Sequence, residues 1–175
     1  VRKHFSDLEG RLDSTKKILN IERGLVRGSR PKYQKSNGGV IHFAGLPEDG
    51  GVGGHQGVDH DFIGVDEAAT IPRDQIKLMM AWLRTDIPSQ RCRVVFASNP
   101  PLDSTGDWLI SYFAPWLDEK HPNPARPGEL RYFLPSEEDG DVEAGKYDTV
   151  VLNGLVIKAQ SRTYIPSKFS DNPYY

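Results

Sequence analysis

The sequence has very little cysteine, and Cys92 is its only thiol. A single cysteine excludes an intramolecular disulfide and a zinc site built from several cysteines, and it favours a reducing, cytoplasmic compartment. Long hydrophobic runs are also missing, since no stretch approaches the roughly 18 apolar residues that a membrane-spanning helix needs. The first residues carry charged side chains rather than an apolar signal core. The composition therefore predicts a cytoplasmic protein without a membrane segment.

What is present is a loop-rich globular composition with an uneven distribution of charge. The 175 residues include 17 glycines and 13 prolines, and 37% of them are hydrophobic. This length predicts one ordinary domain, or one domain with an appendage. The net charge is −2, yet residues 1–40 carry ten Lys/Arg against four Asp/Glu. This basic segment could contact a polyanion, and a solvated helix face is the simpler interpretation.

Apolar runs alternate with turn residues and predict the order of the elements. The spacing of apolar side chains predicts helices at 3–22, from Pro72 to Leu83, and at 107–118, where Pro115 should kink or end the helix. Short apolar runs predict strands at 40–44, 62–65, 93–97 and 130–134, and Asn153-Gly154 predicts a hairpin between 150–152 and 155–157. Residues 121–128 are interpreted as a Pro-rich linker, and the acidic residues 137–143 as a solvated loop.

Two of the predicted strands suggest where a ligand would bind. The runs at 62–65 and 93–97 are apolar almost throughout, which is typical of parallel strands covered on both faces. Strands that alternate with helices predict an α/β fold with a parallel-type sheet flanked by helices, here with a C-terminal β-hairpin. Ligands of such sheets bind at the carboxyl ends of the strands, where both runs are followed by polar residues.

Two adjacent acids end the first of these strands, in Phe62-Ile63-Gly64-Val65-Asp66-Glu67-Ala68. An acid at a strand tip can hold Mg²⁺, often through water. The next acid points in another direction and could orient or deprotonate an attacking water. This pattern is typical of a Walker B motif. The same acids could instead lie near a helix N-terminus for structural reasons alone.

A second polar group follows the next strand, in Ala97-Ser98-Asn99-Pro100. Ser98 and Asn99 could sense a γ-phosphate or its attacking water by hydrogen bonding from a neighbouring strand tip. A plain turn is the alternative, because Asn-Pro is common turn chemistry. The ordered set of strand, two acids, helix, strand and Ser-Asn-Pro is more specific than either half.

Other polar residues are weaker candidates. His55, Asp59, His60 and Asp61 suggest a metal site, but their spacing matches no structural zinc pattern. Arg84 and Arg162 could neutralise phosphate charge, and an ordinary surface arginine is the simpler interpretation of both.

These segments together resemble the ATPase domain of the large terminase subunit of tailed bacteriophages, the motor that packages DNA into procapsids. The resemblance covers most of the chain and includes the segments from Asn37 to Leu46, from Ser161 to Pro166 and from Asp171 to Tyr174. It implies a P-loop NTPase fold of the ASCE type, with ATP and Mg²⁺ as cofactors. It also assigns the site residues: Glu67 as the catalytic carboxylate, Asp66 as the magnesium-associated acid, and Ser98 and Asn99 as the motif that couples hydrolysis to movement.

The resemblance implies partners as well: double-stranded DNA, the portal protein, the small terminase subunit, and further copies that form a homo-oligomeric ring at the portal. The sequence departs from the family's pattern in one respect that limits its expected ATPase activity. No Gly-x-x-x-x-Gly-Lys-Ser/Thr occurs in the 175 residues, so the Walker A loop that cradles phosphates is absent. The metal-binding acids of the family's separate nuclease domain are also missing.

We therefore expect residues 1–175 to be the central and C-terminal part of a terminase-like ATPase domain, with 121–175 forming a linker, strand and hairpin extension. We expect the Walker A loop upstream of Val1. The chain alone should bind ATP poorly and hydrolyse little or none. Two alternatives stay open at this point: part of a helicase-like NTPase, and a non-enzymatic module that binds DNA or a capsid partner.

Overall fold

The chain divides into two compact units, Val1–Trp108 and Leu109–Tyr175. The computed structural model describes residues 8–18, 25–26, 31–46, 57–136 and 140–171. The second unit begins before residue 121, where the sequence predicts the start of an extension. In the described ranges, no helix is both long and apolar enough to cross a membrane.

The first unit contains a small antiparallel sheet, a parallel strand pair and helices. Its elements are α1 (Leu8–Ile18), β1 (Leu25–Val26), β2 (Lys32–Gln34), β3 (Val40–His42), β4 (Phe62–Asp66), α2 (Arg73–Met80) and β5 (Arg93–Ala97). The strands β1, β2 and β3 pair antiparallel in that order. α1 lies within the helix predicted at 3–22, and the remaining residues of that prediction lie outside the described ranges.

The strands β4 and β5 are parallel, as the sequence predicts for these two segments. Phe62 lies opposite Arg93 and Asp66 lies opposite Ala97, so the strands end side by side. The connection between them contains α2, which begins after Pro72. Proline favours a helix start because the first N–H groups of a helix lack intrahelical partners anyway.

Among the residues that the structure describes, side chains cover this strand pair on one face, whereas the sequence predicts cover on both. On β4, Ile63 and Val65 are buried, whereas Phe62 is 57% exposed. On β5, burial alternates along the strand, and Val95 is 51% exposed. The sequence could not reveal this, because a continuous apolar run does not indicate which of its faces meets other side chains.

The core of the first unit surrounds the carboxyl end of β4. Val65, Ala68 and Ile71 are almost completely buried. The ring of Trp108 packs edge-to-face on that of Phe96, with ring centroids 5.7 Å apart. Because burial of a Val or Ile side chain contributes about 1.5–3 kcal/mol, the residues around this strand end also stabilise the unit.

The second unit is built on an antiparallel sheet and a hairpin. Its elements are α3 (Asp107–Tyr112, which begins at the boundary), α4 (Ala114–Leu117), β6 (Arg131–Pro135), β7 (Asp141–Ala144), β8 (Thr149–Leu152), β9 (Leu155–Lys158) and β10 (Gln160–Arg162). β6 lies between β10 and β7. The hairpin predicted at Asn153-Gly154 joins β8 and β9. Both turn residues have positive φ, as a type I′ turn requires.

One prediction for the second unit is wrong, and another is confirmed. The sequence predicts a solvated loop at 137–143, but Asp141–Ala144 forms β7 and pairs with β6. Its acids have arginine partners, since Glu143 pairs with Arg131 at 2.8 Å and Asp141 pairs with Arg162. The helix predicted at 107–118 is interrupted at Phe113, and Pro115 lies in the first turn of α4.

Arg162 is not an ordinary surface arginine, which corrects the simpler interpretation of this residue. Its side chain is only 9% exposed and pairs with Asp141. The guanidinium carbon lies 3.6 Å from the centroid of the Tyr112 ring and 4.3 Å from that of Phe133. Arg162 therefore joins distant segments of the second unit by cation–π contacts and an ion pair.

Candidate functional site

The candidate site lies where β4 and β5 end side by side. Asp66 is the last residue of β4 and lies opposite Ala97, the last residue of β5. Glu67 and Ser98 follow directly on the two strands. Asp66 and Glu67 are half-buried, whereas Ser98 and Asn99 are exposed. The structure thus brings the four residues that were predicted from the sequence to one edge of the strand pair.

Ser98 connects the end of β5 to the turn that follows β4. Its Oγ accepts a hydrogen bond from the backbone N–H of Ala69 at 3.0 Å. The same Oγ donates a hydrogen bond to the carbonyl of Asn99 at 2.7 Å. A serine hydroxyl has one proton to donate. A bound group that accepts this proton must therefore replace the Asn99 carbonyl as the hydrogen-bond acceptor of Ser98.

The turn after β4 holds Glu67 in an unusual conformation. Ala68–Thr70 form a 3₁₀ turn, and Glu67 before it has φ 55° and ψ 45°. Residues with a Cβ seldom adopt this left-handed region. The Glu67 carbonyl accepts hydrogen bonds from the backbone N–H of Thr70 at 2.9 Å and from its Oγ1 at 2.8 Å. Hydrogen bonds to the backbone of Glu67 therefore maintain its conformation.

Two residues that are distant in sequence pack against this turn. Trp108 Nε1 donates a buried hydrogen bond to the carbonyl of Ile71 at 2.9 Å. Gly106 approaches so closely that an added Cβ would lie 2.7 Å from the carbonyl oxygen of Ala69. Only glycine permits so close an approach. The turn is therefore enclosed by Ser98, Gly106 and Trp108.

Thr70 and Gly106 also belong to the site, and neither was predicted from the sequence. A signal for Thr70 was available, because Ser and Thr hydroxyls often bond to nearby backbone groups. Gly106 has no comparable local signal, since its neighbour Ala69 lies in another segment of the chain.

Asp66 is of the residue type that could serve as a protein ligand of Mg²⁺. Mg²⁺ is usually bound through one or two carboxylates together with waters and substrate phosphates. Asp66 and the adjacent Glu67 can supply such carboxylates at the strand end. Across the described residues, no group of three or more His, Cys, Asp or Glu side chains could enclose a metal ion.

Arg84 lies near the opposite end of β4 from Asp66. Its backbone N–H donates to the carbonyl of His60, and its side chain pairs with Asp59. Because a strand rises about 3.3 Å per residue, His60 and Asp66 are roughly 20 Å apart along β4. The side chain of Arg84 is 56% exposed. Arg84 is thus a surface arginine remote from Asp66 and Glu67, as its simpler interpretation predicts.

A cleft of about 470 Å³ lies at this opposite end of β4, bordered by β3 and residues 58–64. The rings of His42 and His60 meet edge-to-face in it, with centroids 6.4 Å apart. Burial and electrostatic repulsion from His42 lower the pKa of His60 below its ordinary value, although Asp59 and Asp61 act in the opposite direction. His55, which belonged to the metal hypothesis, lies outside the described residues.

A family model described as "Terminase large subunit, T4likevirus-type, N-terminal" matches residues 12–164. No curated protein and no solved structure matches the chain. The matched range includes β4, β5 and the turn with Glu67, so the four predicted site residues all lie within it.

Proposed function

Because the chain belongs to the N-terminal family of T4likevirus-type terminase large subunits, we propose that the site at the ends of β4 and β5 hydrolyses ATP with Mg²⁺. Family membership confirms the resemblance seen in the sequence. It assigns the chain to phage DNA packaging, with phage DNA and the packaging machinery as partners. The observation that carries the proposal is the meeting of Asp66, Glu67 and Ser98 at one edge of a parallel strand pair.

In the proposed reaction, Glu67 orients a water and accepts its proton as the water attacks the γ-phosphorus in line with the leaving group. Asp66 would hold Mg²⁺, mostly through water. An ion held there would supply positive charge against the charge that develops on the phosphate oxygens. Glu67 follows Asp66 directly, and its left-handed backbone turns the chain away from the strand direction. The two carboxylates can therefore serve two different tasks.

Ser98 provides a route from the phosphate to the Glu67 turn. Its hydroxyl proton points at the Asn99 carbonyl, while its oxygen accepts the N–H of Ala69. We propose that the hydroxyl turns its proton to a γ-phosphate oxygen when ATP binds and returns it to Asn99 after hydrolysis. The bond to Ala69 would transmit this change to the turn. The Asn99 carbonyl, released from its hydrogen bond, would transmit the change to the segment after β5.

The proposed reaction needs a phosphate-binding loop that these 175 residues do not contain. Such a loop supplies backbone N–H groups and a lysine to the phosphates. We propose that sequence flanking this chain supplies it, and that the chain alone binds ATP poorly and hydrolyses little or none. The complete protein would couple hydrolysis to translocation of double-stranded DNA. The portal protein and the small terminase subunit would be its partners, and several copies would form a ring at the portal.

The test measures Mg²⁺-dependent ATP turnover by the full-length gene product that contains this chain, next to two Glu→Gln variants. Glu67→Gln keeps the size of the side chain but removes the base. We expect kcat to fall by at least about a hundredfold, as for loss of a general base, with unchanged ATP affinity. Glu119 lies in the second unit and is exposed. Glu119→Gln is the matched control and should keep the wild-type kcat.

Three outcomes would contradict the proposal in different ways. Wild-type turnover by Glu67→Gln would show that Glu67 is not the base. Turnover that is stimulated by single strands, together with strand separation, would favour a helicase-like NTPase. DNA binding that needs neither Mg²⁺ nor ATP and is unaffected by Asp66→Ala would favour a non-enzymatic module for DNA or a capsid partner.

A further inference from the structure

The backbone of Glu67 requires an explanation beyond the turn in which it lies. Among the described residues, Glu67 and Asn153 are the non-glycine residues with positive φ. Asn153 lies in a hairpin turn that demands this conformation, and asparagine tolerates it. Glutamate tolerates it less well, and a 3₁₀ turn does not demand it at the preceding residue. Such conformations persist where neighbouring groups hold them, and they concentrate at functional sites.

The contacts of Thr70 identify one group that holds Glu67. Both the N–H and the Oγ1 of Thr70 donate to the Glu67 carbonyl, at 2.9 and 2.8 Å. Any residue other than proline could make the first bond. The second bond requires a β-hydroxyl, which only serine or threonine supplies. Thr70 is exposed, so the core does not depend on its side chain.

Other parts of the turn are held by residues other than Thr70. Ser98 accepts the N–H of Ala69, and Trp108 donates to the carbonyl of Ile71. Neither of these two bonds reaches the Glu67 carbonyl. The two bonds from Thr70, by contrast, act directly on the carbonyl of Glu67 and therefore on the peptide group that follows it.

We propose that Thr70 is a positioning residue for the Glu67 carboxylate. Its hydroxyl fixes the Glu67 carbonyl and so helps to hold the left-handed backbone conformation from which the Glu67 side chain leaves the strand end. Without the hydroxyl, the left-handed conformation of Glu67 loses one of the bonds that hold it, and the carboxylate moves away from the attacking water when this conformation changes. This inference rests on the proposed function, because the position of Glu67 matters to the rate only if Glu67 acts on that water.

The experiment compares kcat, the KM for ATP and the thermal midpoint Tm of three variants of the full-length gene product. Thr70→Val keeps the shape of the side chain and removes the hydroxyl, whereas Thr70→Ser keeps the hydroxyl. Thr85→Val is the matched control, because Thr85 Oγ1 accepts a hydrogen bond from the N–H of Ile87 at 3.2 Å in another exposed turn. All three variants are measured next to Glu67→Gln.

We expect Thr70→Val to lower kcat by about ten- to a hundredfold, the size of effect that a small misplacement of a catalytic group causes. The KM should stay within about twofold, because ground-state binding is unchanged. Thr70→Ser and Thr85→Val should keep the wild-type kcat. A merely structural role for Thr70 would lower Tm without this dependence of kcat on the hydroxyl. Thr70→Ala should show the same loss of kcat and replaces Thr70→Val if that variant does not fold.

Two results would overturn the role of Thr70 while the proposed function stands. In both, Glu67→Gln is inactive. In the first, Thr70→Val keeps the wild-type kcat. In the second, Thr70→Ser loses as much kcat as Thr70→Val. If Glu67→Gln itself keeps the wild-type kcat, the proposed function is wrong, and the role of Thr70 with it.

Discussion

His60 lies just before β4, and its ring faces that of His42 in the cleft. Burial and electrostatic repulsion from His42 lower the pKa of His60 from its ordinary 6.5, and the neighbouring Asp59 and Asp61 compensate only in part. The unfolded chain therefore binds a proton at His60 more readily than the folded chain does. The free energy of unfolding then decreases as the pH falls through 6.5 towards the lowered pKa.

We predict that Tm falls as the pH is lowered from about 7 to about 5, the range over which a histidine takes up its proton. His60→Gln should reduce this slope. His42→Gln removes the repulsion, so it should raise the pKa of His60 and give an intermediate slope. Tm is measured against pH for the three proteins, and NMR titration follows the His60 ring directly. A slope in His60→Gln as steep as in the wild type would assign the pH dependence to other groups.

At the scale of elements, the turn Ala68–Thr70 depends on its close contact with Gly106. A Cβ on Gly106 would lie 2.5 Å from the Cβ of Pro101 and 2.9 Å from that of Ala69. We predict that Gly106→Ala destabilises the first unit by about 1–3 kcal/mol, because these groups must move apart. Since the same turn carries Glu67, ATP turnover of the full-length gene product should fall as well.

The control for this prediction is Gly39→Ala. Its added Cβ would lie 3.3 Å from the side-chain oxygen of Asn37, which accepts a hydrogen bond from the N–H of Gly39 in an exposed turn. The effect of Gly39→Ala on the free energy of unfolding should stay within about 0.5 kcal/mol, as for most surface substitutions. Urea unfolding measures both variants. Equal destabilisation by the two substitutions would contradict the importance of the Gly106 contact.

Elements that local patterns determine could be predicted from the sequence. The parallel strands that end at Asp66 and Ala97, the Asn153-Gly154 hairpin and the interruption before Pro115 all follow from residues within each segment. The meeting of the acids with Ser98 followed from the same pattern, because parallel strands present their carboxyl ends at one edge.

Features that depend on distant neighbours could not be predicted. β7 contains acids whose composition suggests a loop, and their arginine partners lie on β6 and β10. The burial of Arg162 depends on rings from two other segments. The exposure of one face of β5 could not be predicted either, because an apolar sequence does not indicate which of its faces other side chains cover.

At the scale of the whole molecule, the charge is unevenly distributed along the chain. Residues 1–40 carry ten Lys/Arg against four Asp/Glu, although the net charge of the chain is −2. Lys16, Lys17 and Lys35 belong to this segment and are exposed. Arg23, Arg27 and Arg30 belong to it too, but they lie outside the described residues. Because the family acts on phage DNA, this segment is a candidate to contact DNA phosphates.

We predict that the full-length gene product binds double-stranded DNA with no sequence preference and with strong salt dependence. A triple variant of Lys16, Lys17 and Lys35 to alanine should bind more weakly. Its plot of log K against log salt should be flatter by about 0.9 for each phosphate that a lysine no longer neutralises. The matched control changes Lys146, Lys158 and Lys168 to alanine, three exposed lysines of the second unit. Binding is measured by fluorescence anisotropy over a range of salt concentrations.

The two triple variants change the net charge by the same amount, so their difference isolates where on the molecule DNA is bound. A flatter plot for the first variant alone would assign phosphate binding to residues 1–40. Equal flattening of both would mean that binding follows the total charge, with no defined surface. An unchanged plot for the first variant would leave its lysines as a solvated face, and DNA would then be held by other parts of the packaging motor. Because phosphate contacts carry no sequence information, the salt dependence is the measurement that separates these outcomes.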